Sequence, residues 1–219
     1  MDKPELMVFD LDGTLIDSLD DLAAAINVLR THYGLPEVDR TKASTIVGDG
    51  VVCLVKRALG DTSADFDEAL KYYRAYYAGH QLVRTGLYPG VAEGLAELRR
   101  SGVALTVATN KPSANATAIL EALGVMEHFA AVIGGDAGVP LKPAPDVLLQ
   151  LKARFGSGNC WMVGDHYTDL EAGRRAGFFR VFAGYGFGNR REEIPDMTVF
   201  SFTELVDAAL RGRVKNEEV

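Results

Sequence analysis

Short apolar runs that predict buried strands recur along the chain, and a segment with helical periodicity follows each of them. The runs lie at residues 6–9, 103–108, 130–133, 160–163, 178–182 and, more weakly, 198–200. Uninterrupted apolar runs of this length are typical of parallel strands that are covered on both faces. Proline near the start and glycine after the end mark the intervening helices, as Pro89 and Gly102 do for one of them. We therefore predict an α/β fold, a three-layer Rossmann-like parallel sheet.

One segment interrupts this alternation, because no strand is evident between about residues 17 and 85. Apolar side chains are spaced four and three apart at Leu22, Ile26 and Leu29, and the same helical spacing recurs around Tyr73. A segment of this length is too long for an ordinary loop. We therefore expect residues 17–85 to form an all-helical cap subdomain, and residues 1–16 together with 86–219 to form the α/β core.

Composition narrows the class of protein. The 219 residues are 47% apolar and 24% charged, as in globular chains, and no apolar run approaches a membrane span. The N-terminus lacks a signal-peptide pattern, and Cys53 and Cys160 lie in apolar stretches that suit free thiols, so we expect a cytoplasmic location. The formal net charge of −7 argues against nucleic-acid or membrane partners and is compatible with a monomer or a homodimer.

Polar residues follow the predicted strands at their carboxyl ends, where open α/β sheets bind ligands. They are Asp10, Asp12, Gly13 and Thr14 after the first run, Thr109 and Asn110 after the second, Lys142 after the third, and Asp165 and Asp169 after the fourth. Four carboxylates and one lysine carry a formal charge of −3, which is unfavourable unless a cation is bound or pKa values rise. Hard oxygen ligands favour Mg²⁺, and a metal, a lysine, a hydroxyl and loop amides together suit a phosphoryl group.

Asp10 and Asp12 offer two carboxylates with separable roles. One can attack phosphorus as a nucleophile, and the other can protonate the leaving oxygen and then activate water. Gly13 would allow backbone amides to approach phosphoryl oxygens closely. Taken alone, the two aspartates could also cap a helix or belong to a sugar-nucleotide transferase, and Thr109 with Asn110 alone would indicate a helix N-cap.

Taken together, four segments resemble the motifs of haloacid dehalogenase-superfamily phosphatases in order and spacing. They are Asp10-Leu11-Asp12-Gly13-Thr14, Thr109-Asn110, Lys142-Pro143, and Gly164-Asp165 with Asp169. The predicted helical segment also lies where that family has its cap. The resemblance implies that Asp10 is the nucleophile and forms an aspartyl-phosphate, with Asp12 as general acid and base.

The same resemblance implies the remaining site residues. Thr109 and Lys142 would hold the phosphoryl group, with Gly13, Thr14 and Asn110 among the substrate-binding residues. Mg²⁺ would be bound by Asp10, the backbone carbonyl of Asp12 and Asp165, with Asp169 acting through water or orienting its loop.

Within the superfamily, residues 17–25 and 47–51 are similar to the first cap helix and the substrate-facing cap loop of phosphoglycolate phosphatases. This similarity implies substrate contacts at Gly48, Asp49 and Gly50, and 2-phosphoglycolate as the small phosphorylated metabolite. The loop often has asparagine where this chain has Asp49, and a small residue often stands where it has His166, which we consider for a role near the metal.

Other functions are compatible with the same residues. A pyrophosphatase or a phosphosugar mutase would use the same aspartates, whereas a non-catalytic binding module would have no use for both Asp10 and Asp12. We further expect Lys111 to face solvent and the tyrosines between residues 72 and 77 to pack in a core.

Overall fold

A six-stranded parallel sheet forms the centre of the protein, for which a computed structural model describes residues 2–156 and 158–211. Its strands are β1 (Leu6–Phe9), β4 (Ala104–Ala108), β5 (Ala131–Ile133), β6 (Cys160–Gly164), β7 (Phe179–Ala183) and β8 (Met197–Val199). Each of the six predicted strands is present, and the predicted α/β fold is confirmed. Residues 212–219, which we assigned to the core by sequence, lie outside the described residues.

Helices cover both faces of this sheet. They are α5 (Val91–Arg100), α6 (Ser113–Ala122), α7 (Asp146–Phe155), α8 (Tyr167–Ala176) and α9 (Phe202–Arg211). Successive residues of β1 point to opposite faces: Phe9 packs in a cluster with Phe202, whereas Val8 packs in a second cluster with Leu148. Because both faces of β1 are buried, its sequence is apolar throughout, which explains why the run predicted a strand.

The strand order places β1 at the point where the topology reverses. The order is β5-β4-β1-β6-β7-β8, so the chain builds one half of the sheet beyond β4 and then returns to build the other half beyond β6. Residue Leu6 of β1 pairs with Ala104 on one side and Cys160 on the other. In such sheets the crevice at the carboxyl end of this central strand is the usual ligand site.

A group of four helices, here called the helical insert, lies between two short strands. The strands are β2 (Ile16–Asp17) and β3 (Gly86–Leu87), which pair antiparallel, and the helices are α1 (Leu19–His32), α2 (Arg40–Ser44), α3 (Val51–Leu59) and α4 (Phe66–His80). Leu22, Ile26 and Leu29 of α1 share a hydrophobic cluster with Tyr73 and Tyr77 of α4. The predicted helical character is confirmed, but the sequence did not reveal α2 or the pairing of β2 with β3, because such short elements have no periodicity.

Across the described ranges, we find no helix long and apolar enough to cross a membrane.

Candidate active site

A cavity lies between the carboxyl edge of the sheet and the helical insert. Asp10, Asp12 and Thr109 line it from the sheet, and Gly48 and Tyr77 line it from the insert. Parallel strands have their carboxyl ends at the same edge of the sheet. Site residues that are distant in sequence therefore lie close together here.

Lys142 occupies the sheet side of this site. Its Nζ lies 2.9 Å from Oδ1 of Asp10 and 2.6 Å from Oδ1 of Asp169, and it donates a hydrogen bond to the carbonyl of Ala108 (2.6 Å). Burial alone would lower the pKa of Lys142, but the charges of Asp10 and Asp169 outweigh it and raise this pKa. The ammonium therefore stays charged beside Asp10.

Three carboxylates form an acidic cluster next to that lysine. Asp10, Asp165 and Asp169 each offer an oxygen, and these atoms all lie within 4.8 Å of one another. Burial, together with the charges of Asp10 and Asp169, raises the pKa of Asp165 well above its usual value. Burial likewise raises the pKa of Asp169 to about 7, although Lys142 opposes this shift. The cluster thus carries an excess of negative charge on hard oxygen ligands, which fits a divalent cation.

Asp169 differs from the other two carboxylates in having both oxygens engaged. Oδ1 accepts from Lys142 (2.6 Å), and Oδ2 accepts from the backbone N–H of His166 (3.1 Å) at the start of α8. This arrangement orients Lys142 and leaves Asp10 and Asp165 as the carboxylates most open to a metal ion.

Gly13 and Thr14 shape the loop after β1, and their expected substrate contact stays a prediction. A Cβ on Gly13, whose φ is +79°, would lie 1.8 Å from Oδ2 of Asp165, so only glycine fits against that carboxylate. The side chain of Thr14 is fully buried. The backbone N–H groups of Gly13 and Thr14 already donate to the carbonyls of Ile16 and Leu11.

A second lysine, Lys111, lines the cavity, and our prediction that it faces solvent is wrong. Its side chain is only 4% exposed, and its Nζ donates to both oxygens of Asp12, at 2.8 Å each. It also donates to Oη of Tyr77 in α4 (2.8 Å), and Asp12 accepts a further hydrogen bond from Ser18 (2.5 Å). The helical insert covers Lys111 through Tyr77. With Lys111 included, the four carboxylates and two lysines of the site have a formal charge of −2.

The loop before α3 meets the sheet edge through backbone contacts. The carbonyl of Gly48 accepts from Nδ2 of Asn110 (3.1 Å), and Asn110 also pairs with the backbone of Lys142 in both directions (2.9 and 3.0 Å). Gly48 and Gly50 line the cavity as expected for a substrate-facing loop. A Cβ on Gly48 would lie 2.6 Å from Cε1 of His166, so this close approach requires glycine.

The Asp49 carboxylate has partners from both parts of the chain, and its expected role as a substrate ligand stays a prediction. Its carboxylate pairs with Arg57 of α3 and accepts a hydrogen bond from Oη of Tyr167 in α8 (2.5 Å). Burial alone would raise the pKa of Asp49, but the hydrogen bonds from Tyr167 and Arg57 outweigh burial and lower it. Asp49 therefore joins the helical insert to the sheet domain.

Thr109 and His166 also line the cavity. Oγ1 of Thr109 accepts from the backbone N–H of Lys111 (3.2 Å), and Pro112, not Thr109, is the N-cap of α6. Burial lowers the pKa of His166 to about 4 against the charges of Asp49 and Asp10, so its imidazole is neutral near pH 7.

The fold and this site place the protein in a known class. A family model described as haloacid dehalogenase-like hydrolase matches residues 4–177, and the chain belongs to that family. It is 37% identical to a phosphoglycolate phosphatase of Chromobacterium violaceum, over 94% of this chain and 96% of the relative. It is 36% identical to a phosphoglycolate phosphatase of Nitrosococcus oceani, over 93% of this chain and 95% of the relative.

A solved structure gives the same result. A predicted phosphoglycolate phosphatase from Haemophilus somnus is similar with a TM-score of 0.87 and 31% identity, over 94% of this chain and 98% of that one. These similarities confirm the expected enzyme class, a phosphoric monoester hydrolase that resembles phosphoglycolate phosphatases. Members of this class use a divalent metal, which agrees with the acidic cluster of Asp10, Asp165 and Asp169.

Sequence reasoning missed Lys111 and Tyr77 as residues of the site. One signal was present, because Lys111 follows Thr109 and Asn110 directly at the end of β4, where the sheet places its polar residues. Tyr77 gave no such signal, since its spacing from Tyr73 is that of a buried helix face, which it also occupies.

Proposed function

We propose that this protein hydrolyses 2-phosphoglycolate as a Mg²⁺-dependent phosphatase, through an aspartyl-phosphate intermediate on Asp10. One observation carries the proposal: the Asp10 carboxylate lies in a cavity between a buried ammonium, that of Lys142, and a buried carboxylate, that of Asp165. The names of the relatives from Chromobacterium violaceum and Nitrosococcus oceani support the choice of substrate.

Asp10, Asp165 and the backbone carbonyl of Asp12 are the proposed Mg²⁺ ligands. The raised pKa of Asp165 supports this assignment, because burial and the charges of Asp10 and Asp169 disfavour its ionised form, and a bound cation would offset both. Asp169 would act through water, since both its oxygens accept hydrogen bonds from the chain. When bound, Mg²⁺ neutralises phosphoryl oxygens and fixes their orientation.

In the first step, Asp10 attacks phosphorus and forms a phosphorus–oxygen bond while the bond to the alcohol oxygen breaks. Asp12 donates a proton to that leaving oxygen, and Lys142 and the Thr109 hydroxyl stabilise the charge on the phosphoryl oxygens. In the second step, Asp12 takes a proton from water as the water attacks phosphorus, which releases phosphate and restores Asp10.

The helical insert is the proposed cap, with residues 17–85 forming the cap and residues 1–16 and 86–219 the catalytic core. Contacts from Asn110 to Gly48, from Lys111 to Tyr77 and from Tyr167 to Asp49 join the two parts across the cavity. A cover of this kind excludes bulk water while the aspartyl-phosphate exists and contacts the leaving group.

Phosphate release from a substrate panel tests this proposal. The panel contains 2-phosphoglycolate, pyrophosphate, hexose phosphates and nucleotides, each assayed with Mg²⁺ on the wild type and on Asp10→Asn. We expect the highest kcat/KM for 2-phosphoglycolate and no steady-state turnover by Asp10→Asn, although that variant folds. A preference for pyrophosphate, or interconversion of hexose phosphates, would replace the proposed substrate by one of the other functions of this site. Full turnover by Asp10→Asn would contradict the nucleophile.

A further inference from the structure

Lys111 is a buried cation that the proposed phosphoryl chemistry does not use. The phosphoryl oxygens have Lys142, Thr109 and the acidic cluster with its cation, all on the sheet side of the cavity. Lys111 instead lies at the boundary with the helical insert, with Asp12 on one side and Tyr77 on the other. Burial of an ammonium is unfavourable unless it is paired, and Asp12 and Tyr77 supply this pairing at the boundary between the sheet and the insert.

We propose that Lys111, positioned by Tyr77, binds a carboxylate on the leaving group, so that the site selects phosphoesters with a carboxylate on the ester carbon. This inference rests on the proposed function and deepens it, because it defines the class of substrate by its chemistry. It also explains why a lysine directly after Thr109 and Asn110 is buried.

Geometry places Lys111 at the leaving-group end. Asp12, the proposed donor to the leaving oxygen, has both carboxylate oxygens 2.8 Å from Nζ of Lys111. A group that lies within hydrogen-bond distance of Asp12 is within a few bonds of the leaving oxygen. A carboxylate on the carbon attached to that oxygen therefore falls within reach of the ammonium.

The hydrogen-bonding groups around Lys111 also suit a carboxylate. An ammonium has three donors, which Asp12 and the Oη of Tyr77 engage, and Tyr77 accepts rather than donates in this contact. Among the described residues, we find no acceptor for the Tyr77 hydroxyl hydrogen. A carboxylate entering here can replace one Asp12 oxygen as the acceptor from Lys111 and accept from Tyr77 as well, which gives a charge-assisted pair of hydrogen bonds.

Charge favours the same assignment. Without Lys111, the four carboxylates, Lys142 and one divalent cation leave a formal charge of −1. A substrate that brings a phosphoryl dianion and a carboxylate therefore needs the positive charge of Lys111 at its far end. Arg74 also lines the cavity, but its side chain is exposed, so water and salt screen its charge more than that of Lys111.

Binding of two non-hydrolysable ligands tests this proposal without turnover. The ligands are 3-phosphonopropionate, which has the shape and the carboxylate of phosphoglycolate, and propylphosphonate, which has a methyl group in place of the carboxylate. Titration calorimetry with Mg²⁺ gives the ratio of their dissociation constants. We expect the wild type to bind the carboxylate-bearing ligand about 10- to 100-fold more tightly, and Lys111→Met to reduce this ratio to within about threefold.

Two further variants keep the test decisive. Tyr77→Phe keeps the ring and should reduce the ratio by about threefold to tenfold, whereas Arg74→Gln should leave it near the wild-type value. A wild-type ratio near one would overturn the proposal whatever the variants do. An unchanged ratio in Lys111→Met, or a loss confined to Arg74→Gln, would also overturn it.

The outcomes separate this inference from the proposed function. If the wild type turns over 2-phosphoglycolate through Asp10 but Lys111→Met keeps the wild-type ratio, the function stands and the inference is wrong. If neither phosphonate binds and the panel gives no Asp10-dependent release of phosphate, both are wrong.

Discussion

The two buried lysines of the site, Lys142 and Lys111, differ in where their partners come from. Lys142 pairs with Asp10 and Asp169 and with the carbonyl of Ala108, all at the carboxyl edge of the sheet. Lys111 pairs with Asp12 from that edge and with Tyr77 from the helical insert. The proposed phosphoryl end of the site is thus assembled by the sheet alone, whereas the proposed leaving-group end depends on the insert.

The balance of charge around the two lysines differs as well. Lys142 lies beside the acidic cluster of Asp10, Asp165 and Asp169, where three carboxylates outnumber one ammonium. Lys111 faces one carboxylate, that of Asp12. We therefore expect a divalent cation on the Lys142 side, and the anionic group of the proposed substrate on the Lys111 side.

We expect the largest effect from Lys142→Met. The change leaves Asp10 and Asp169 buried without their cation and removes the ammonium that stabilises phosphoryl oxygens, so kcat should fall by about 100-fold to 1000-fold or more. Steady-state kinetics with 2-phosphoglycolate measures this loss. Lys71→Met, which removes an exposed lysine of α4, is the matched control and should keep the wild-type kcat. A kcat within about threefold of the wild type in Lys142→Met would contradict the role of this lysine.

Asp165→Asn should weaken metal binding, because asparagine offers an oxygen without the charge. The Mg²⁺ concentration for half-maximal activity should rise by at least about 10-fold. The metal-free variant should also be more stable than the metal-free wild type near pH 7. The pKa of Asp165 is raised in the folded state, so stability present below its unfolded pKa is lost as the pH rises through the folded value.

Thermal unfolding with and without Mg²⁺ measures both parts of that prediction. Added Mg²⁺ should raise the Tm of the wild type and leave that of Asp165→Asn nearly unchanged. Equal Mg²⁺-dependent shifts in the two proteins would show that the metal lies elsewhere.

The smallest effect is expected from Tyr167→Phe, which breaks the hydrogen bond from α8 to Asp49 of the insert. The ring, with Arg191 stacked 3.5 Å from its centroid, remains. Loss of one charge-assisted hydrogen bond should raise KM by about threefold to tenfold with little change in kcat, because the contact lies outside the cavity. A large fall in kcat at unchanged KM would instead place Tyr167 in the chemistry.

The sequence predicted most of the sheet side of the molecule and less of the side formed by the insert. Strands such as β1 are buried on both faces, so their apolar runs are distinctive, and the ends of parallel strands necessarily bring Asp10 and Asp165 together. The two-residue strands β2 and β3 have no periodicity to detect. Their pairing depends on contacts between distant parts of the chain.

Contacts made across the cavity were the least predictable part of the site. Lys111 would be taken for a surface lysine from the sequence alone, because the residue that covers it, Tyr77, lies 34 residues earlier. The partners of the Asp49 carboxylate, Arg57 and the distant Tyr167, were likewise not predicted from the sequence. The burial of Thr14 was also not predictable, because nothing in the sequence around Gly13 indicates that this hydroxyl is fully buried.

One kinetic comparison tests most directly whether the two lysines have separate roles. The values of kcat/KM for 2-phosphoglycolate and for 2-hydroxyethyl phosphate, whose leaving group has a neutral hydroxymethyl group in place of the carboxylate, are measured for the wild type, Lys142→Met and Lys111→Met. We predict that Lys142→Met lowers both values by a similar factor, whereas Lys111→Met lowers mainly the value for 2-phosphoglycolate and removes most of the preference for it. Equal losses on both substrates in Lys111→Met would contradict the account, because Lys111 would then serve the phosphoryl chemistry and not the leaving group.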